Sequence, residues 1–95
     1  MTVLTLDSVV VRGSHHVETE VDGQVFMMRL DEGKYFALDA SARRIWQLVA
    51  QPVSLGSVVT ALTNEYEVEP TQCQAEVLAF AETLLRRGLI VAAPM

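Results

Sequence analysis

The side chains best able to do chemistry are few and scattered: the neighbours His15 and His16, the lone Cys73, and a set of hydroxyls and carboxylates. Adjacent histidines in an extended or loop segment point apart, so His15 and His16 are expected in a solvated loop, not around one metal ion. Cys73 falls on an apolar helical face, where a buried, unreactive thiol is expected. Serines, histidines and acids all occur, yet the chain has no nucleophile elbow, no paired active-site carboxylates and no glycine-rich phosphate loop. These residue types point to binding without catalysis, with no cofactor and no metal site. The strands and helices must then build the binding surface.

At 95 residues and 51% hydrophobic, the chain suits one small domain, residues 1–95 with a core over about 17–91. Such a domain buries about 60–65% of the surface its unfolded chain exposes. Seven Lys and Arg against twelve Asp and Glu leave a net charge of −5, a poor supply for neutralising phosphates and a better match to a basic or neutral partner. One cysteine excludes an intramolecular disulfide and fits a reducing cytosol. The start, MTVLTLDSVV, lacks the basic opening and continuous apolar run of a signal peptide, and no stretch approaches the ~20 apolar residues of a membrane span. A soluble, cytoplasmic monomer is expected, with neither membrane nor nucleic acid as partner.

Three strands are legible. Val17, Thr19 and Val21 alternate with Glu18 and Glu20; Asp22-Gly23 is a strong hairpin signal; VFMMRL follows with Phe26, Met28 and Leu30 on one face and Val25, Met27 and Arg29 on the other. Asp31-Glu32-Gly33 turns the chain into a third strand, Lys34 to Leu38. Upstream, Leu4 and Leu6 alternate as a possible short pairing segment, but Val9-Val10-Val11 breaks the pattern and leaves residues 1–16 open. From Asp39 the period becomes 3.6, with Asp39 or Ser41 as N-cap and Ile45, Leu48 and Val49 on the buried stripe. Pro52 ends that helix. Ser54 caps a second, with Leu55, Val58, Val59 and Leu62 on one face and Tyr66 a further turn on. A third starts either at the capping box Thr71 to Gln74 or with Glu69 as cap and Pro70 at the first position, and stops at Gly88 before an extended Leu89-Ile90-Val91. The fold class that follows is α+β and winged-helix-like: a three-stranded antiparallel sheet followed by three helices.

In a simple meander the third strand is an edge, whose unpaired N–H and C=O groups invite another strand. Phe36 and Leu38 then face the helices, with Tyr35 and Ala37 on the reverse face. On the third helix, Phe80, Cys73, Leu84, Val77, Ala81, Leu85 and Leu78 span an arc of about 160° at 100° per residue. Packing against sheet and helices explains most of it. If Phe80 borders the open strand, the two make an apolar groove with Glu76 and Arg87 as polar rims, and Thr83 on the same flank. A DNA-reading winged helix would expose Arg, Lys, Asn or Gln to base edges. The second helix offers Ser57, Thr60, Thr63 and Asn64 without a single Lys or Arg, so a nucleic-acid-binding regulator is the weaker alternative.

The ordered series FMMRLDEGKYFALD, RRIWQLV and LLRRGLIV resembles the PqqD-like peptide-binding domains, also called RiPP recognition elements, over about residues 20–91. That resemblance implies non-catalytic recognition of the leader peptide of a ribosomally made precursor. The leader would lie as a further strand, antiparallel to the third, in the cleft with the last helix. It maps the role onto Lys34, Tyr35, Phe36 and Ala37, and onto Glu76, Phe80, Thr83 and Leu84. Two departures stand out: Glu76 opens Glu76-Val77-Leu78 where Asp is usual, and Glu69-Pro70 replaces Asp-Pro. Ending soon after Gly88-Leu89-Ile90, the chain is similar to stand-alone members. Among these, the leader-binding protein of lasso-peptide pathways is favoured, with a leader-removing cysteine protease and an ATP-dependent cyclase as the implied partners. The alternative is a PqqD-type peptide chaperone for a radical-SAM enzyme.

Overall fold

The computed structural model describes residues 4–14, 16–31, 33 and 35–92. The elements, in chain order, are β1 (Val9–Arg12), β2 (His16–Val21), β3 (Gln24–Arg29), β4 (Tyr35–Leu38), α1 (Ala40–Leu48), β5 (Val53–Ser54), α2 (Leu55–Glu65), α3 (Pro70–Arg86) and β6 (Ile90–Ala92). The three expected strands form an antiparallel sheet in the order β2-β3-β4, and three helices follow, giving the expected α+β fold. Local chemistry sets the joints. Asp22 and Gly23 both take positive φ, 53° and 82°, as a two-residue type I′ hairpin turn requires.

Each helix begins on a capping side chain. Asp39 accepts from Ala42 N at 2.9 Å, Ser54 from Ser57 N at 3.1 Å, and Glu69 from Gln72 N at 2.7 Å. Of the two possible starts of α3, the chain uses Glu69 with Pro70 at the first position, where the missing N–H costs nothing. The backbone donors of Gln72 and Thr71 hold the Glu69 carboxyl below its ordinary pKa. At the other end Gly88 has φ 71°, with Gly88 N donating to Leu85 O and Leu89 N to Leu84 O at 3.0 and 2.9 Å, the paired bonds of a Schellman close.

Two features depart from expectation. Upstream, the strand is Val9–Arg12 itself, not Leu4 and Leu6. It is the middle of a second sheet, β5-β1-β6, pairing antiparallel with Val53–Ser54 and Ile90–Ala92. The buried core accordingly reaches upstream of residue 17, to Leu4 and Val10. In β2, the face turned toward α1 is the acidic one: Glu18 meets Trp46 and Arg12, and Glu20 meets Arg43. Val17 and Val21, 48% and 52% exposed, lie on the open face of the sheet. The core gathers Met27 and Leu38 from that sheet, Trp46, Leu55, Val58, Val77 and Leu84 from the helices, and Val10 and Ile90 from the second sheet.

His16 opens β2 with its side chain only 10% exposed, and its ring stands edge-on to Trp46 at 5.1 Å between centroids. The expected solvated loop is corrected: the neighbouring indole offers His16 an apolar wall. His15 lies outside the described residues. Arg12 joins the same cluster, donating from Nε and Nη2 to Trp46 O at 3.0 and 2.7 Å while its guanidinium lies 4.5 Å over the indole. This ties β1 to the end of α1.

Candidate functional site

The main sheet has two edges, and their side chains treat an incoming strand differently. On β2, Glu18 and Glu20 point inward to Trp46, Arg12 and Arg43, the inward charge that protects an edge from pairing. β4, reading Tyr35-Phe36-Ala37-Leu38, carries no charge. The hairpin fixes which of its backbone groups are free. A two-residue turn is closed by a hydrogen-bonded pair, here Val21 and Gln24, after which bonded and non-bonded pairs alternate. Phe26 and Met28 therefore turn their backbone groups to β2, while Val25 and Met27 turn theirs to β4. Val25 is opposite Leu38 and Met27 opposite Phe36, so Phe36 and Leu38 bond inward. The N–H and C=O groups of Tyr35 and Ala37 are left facing outward along the open edge.

Side chains on β4 alternate as the pleat demands. Leu38 is buried and Phe36 half-buried against the helices, while Tyr35, 75% exposed, and Ala37 lie on the open face with Met28 and Phe26. Tyr35 and Ala37 can thus offer backbone to a partner strand on the edge but not side chains to the helix side. Lys34, assigned to the same strand from the sequence, lies outside the described residues.

An apolar cleft opens between α1 and α3 just beyond the end of β4, and β4 and α3 run in opposite directions. The Arg87 guanidinium lies 5.1 Å from the Phe36 ring, so the beginning of β4 meets the end of α3. The end of β4 meets the middle of α3, where Asp39, Ile45, Tyr66, Cys73, Glu76 and Phe80 surround a cleft of about 240 Å³. The apolar floor comes from Ile45, Leu62 and Val77, and the mouth is acidic through Asp39 and Glu76. Burial, and secondarily the charge of Glu76, pushes the Cys73 thiol up. A thiol held protonated is a wall and not a nucleophile.

Among the α3 residues assigned to the site, Glu76 is exposed at the cleft mouth and Phe80 half-buried along its flank. The Thr83 hydroxyl donates back to Ala79 O at 3.1 Å, which leaves it a weak contributor to any ligand. Leu84, at 3% exposure, belongs to the buried core cluster. Asp39, Ser41 and Tyr66 also line the cleft and were not picked out from the sequence. Their signals there were a helix cap, for Asp39 and Ser41, and a further turn of the second helix's apolar face, for Tyr66; neither carries a trace of a cleft that forms only when α1 meets the link between α2 and α3.

Among the described residues no three His, Cys, Asp or Glu converge on a point that could hold a metal ion, and no helix is long and apolar enough to cross a membrane. Among curated proteins no match is found. Among solved structures, the fold is similar to that of TbiB1 in complex with the TbiA(beta) leader peptide, at 26% identity and TM-score 0.79, covering 90% of this chain and 99% of the other. It is also similar in fold to lasso peptide synthetase B1 complexed with the leader peptide, at 24% identity and TM-score 0.77, covering 86% and 96%. Residues 24–90, the span from β3 to the start of β6 that includes β4 and α3, match the family described as coenzyme PQQ synthesis protein D (PqqD); the chain belongs to the PqqD family.

Proposed function

We propose that the chain, acting as one peptide-binding domain, holds the leader of a ribosomally made precursor as an added strand on β4. It performs no chemistry of its own and presents the precursor to the enzymes that process it. The observation that carries this reading is the asymmetry of the sheet edges: β2 is blocked by inward Glu18 and Glu20, whereas β4 turns the free backbone groups of Tyr35 and Ala37 outward beside an apolar cleft. Backbone pairing supplies affinity there, and the cleft beside Phe80 supplies side-chain selection. Lys34 would extend the pairing edge. Likeness to TbiB1, whose structure holds a leader peptide, favours a lasso-peptide pathway, with a leader-removing cysteine protease and an ATP-dependent cyclase as downstream partners. The family's description as a coenzyme PQQ synthesis protein supports the second reading, a peptide chaperone for a radical-SAM enzyme.

The test is calorimetric titration of the full chain with the leader of its cognate precursor. Binding in the micromolar to nanomolar range, about −8 to −12 kcal/mol, is expected, and duplex DNA at physiological salt should give no heat. Ala37→Pro deletes an outward-facing donor while leaving the inward bonds of Phe36 and Leu38 in place. The folded variant should lose the leader; undiminished affinity would remove β4 as the docking edge.

A further inference from the structure

The path along β4, from the cleft mouth just past its end to Arg87 over Phe36 near its start, carries opposite charges at its two ends, and the chain's ion pairs isolate them. Arg12, Arg29, Arg43 and Arg44 are each paired with a carboxylate. Arg86 and Arg87 have no carboxylate partner among the described residues and stand exposed at the end of α3, Arg87 over Phe36. At the other end, Glu76 at the cleft mouth accepts a 3.3 Å bond from the neutral Gln72 amide and has no cationic partner among the described residues, with Asp39 across the opening. Phe80 lies between the two poles on α3. Resting on the assignment of this groove to an antiparallel peptide strand, we infer that Glu76 and Arg87 read the charge order of the bound segment, selecting a basic residue toward its N-terminal end and an acidic one toward its C-terminal end.

Direction follows from antiparallel pairing. A strand antiparallel to β4 starts beside Leu38 and Asp39, at the acidic pole, and finishes beside Phe36, at Arg87. Spacing follows from the helix. Eleven residues from Glu76 to Arg87 advance about 16 Å at 1.5 Å per residue, which an extended peptide covers in about five residues at 3.3 Å each. Only alternate peptide side chains face α3, so the charges belong at i and i+4 or i+6, with an apolar residue between them against Phe80. Exposed pairs are individually weak, and each should change affinity a few-fold. A peptide with both charges reversed loses two attractions and gains two repulsions, so it should bind about tenfold more weakly at low salt, the difference shrinking as salt screens the rims.

The experiment is display selection of random 14-residue peptides on the full chain, with Ala37→Pro as counter-selection so that only edge-dependent binders are kept. Enriched sequences should carry Lys or Arg four or six positions before Asp or Glu. Selection on Glu76→Lys/Arg87→Glu should invert that order, with Arg87→Gln as a milder variant that loses only the acidic preference; melting curves establish that each is folded. Edge-dependent binders with no charge order, or with the opposite one, overturn this inference while leaving the groove assignment standing. A library that yields no edge-dependent binder overturns both.

Discussion

Phe80 is the residue at which packing and binding separate. Half-buried on α3, it packs against the core from outside while Val77, Ala81 and Leu84 on the same helix are 1%, 1% and 3% exposed. Truncating a fully buried leucine such as Leu55, 0% exposed and outside the cleft, costs about 2–5 kcal/mol, whereas a side chain already half in water has less burial to lose. Phe80→Ala should therefore melt well above Leu55→Ala, yet weaken leader binding by about 2 kcal/mol, roughly thirtyfold, if it anchors the peptide. Thermal denaturation and leader titration of both variants check it. A Phe80→Ala protein that melts as low as Leu55→Ala and binds leader normally would make Phe80 core and not groove. Leu84→Ala, at a side chain 3% exposed, belongs with Leu55→Ala.

Element ends are where single glycines decide stability, and Gly88 and Gly33 make a controlled pair. Both have positive φ, 71° and 66°. A Cβ on Gly33 would meet nothing within 4 Å, whereas one on Gly88 would collide with the Arg29 guanidinium, which caps the end of α3 by donating to Arg87 O. Gly33→Ala should cost about 1 kcal/mol, the backbone penalty alone. Gly88→Ala should cost more, because Arg29 must also move; at about 4–8 °C per kcal/mol for a domain this small, the two melting points resolve the difference. Equal losses would show that Arg29 shifts freely. The end of α3 was readable in LLRRGLIV because a left-handed stop needs glycine, and the helix starts were readable because Asp39, Ser54 and Glu69-Pro70 are local caps. The groove walls were readable in part: the alternation of β4 placed Phe36 inward and Tyr35 outward. What was not readable is non-local. β1 takes its place between Val53–Ser54 and Ile90–Ala92, partners some 40 and 80 residues away in sequence. The acidic face of β2 turned inward because Trp46 Nε1 and Arg12 needed an acceptor, which Glu18 supplies at 2.5 and 3.4 Å, and no local pattern announces that. The cleft lined by Asp39, Tyr66 and Glu76 needs three separate segments at once.

At the scale of the whole molecule, the second sheet locks the ends of the chain to the body that holds the groove. β1 is its centre, Val10 and Leu89 are 0% exposed and Ile90 1%, and Gly13 N donates to Leu89 O at 2.9 Å. Arg12 then carries the link onward to Trp46 O and the indole face, next to the blocked edge of the main sheet and away from β4. Removing residues 1–14 would delete the central strand, leave Val53–Ser54 and Ile90–Ala92 without their pairing partner, and leave Trp46 O and Glu18 without Arg12. Full burial of a large aliphatic side chain contributes about 1.5–3 kcal/mol, and Leu4 and Val10 alone bring about 3–6. A chain of this size has roughly 5–14 kcal/mol in total, so with the lost ladder bonds the shortened protein should not fold cooperatively, although it keeps both walls of the groove. Circular dichroism melting of a 15–95 fragment checks this: a flat or broad transition is expected, and adding a synthetic peptide of residues 4–14 should restore a cooperative one by refilling the gap between β5 and β6. A fragment that melts sharply and still binds leader would show that β2 to α3 fold alone and that the second sheet is dispensable to the site.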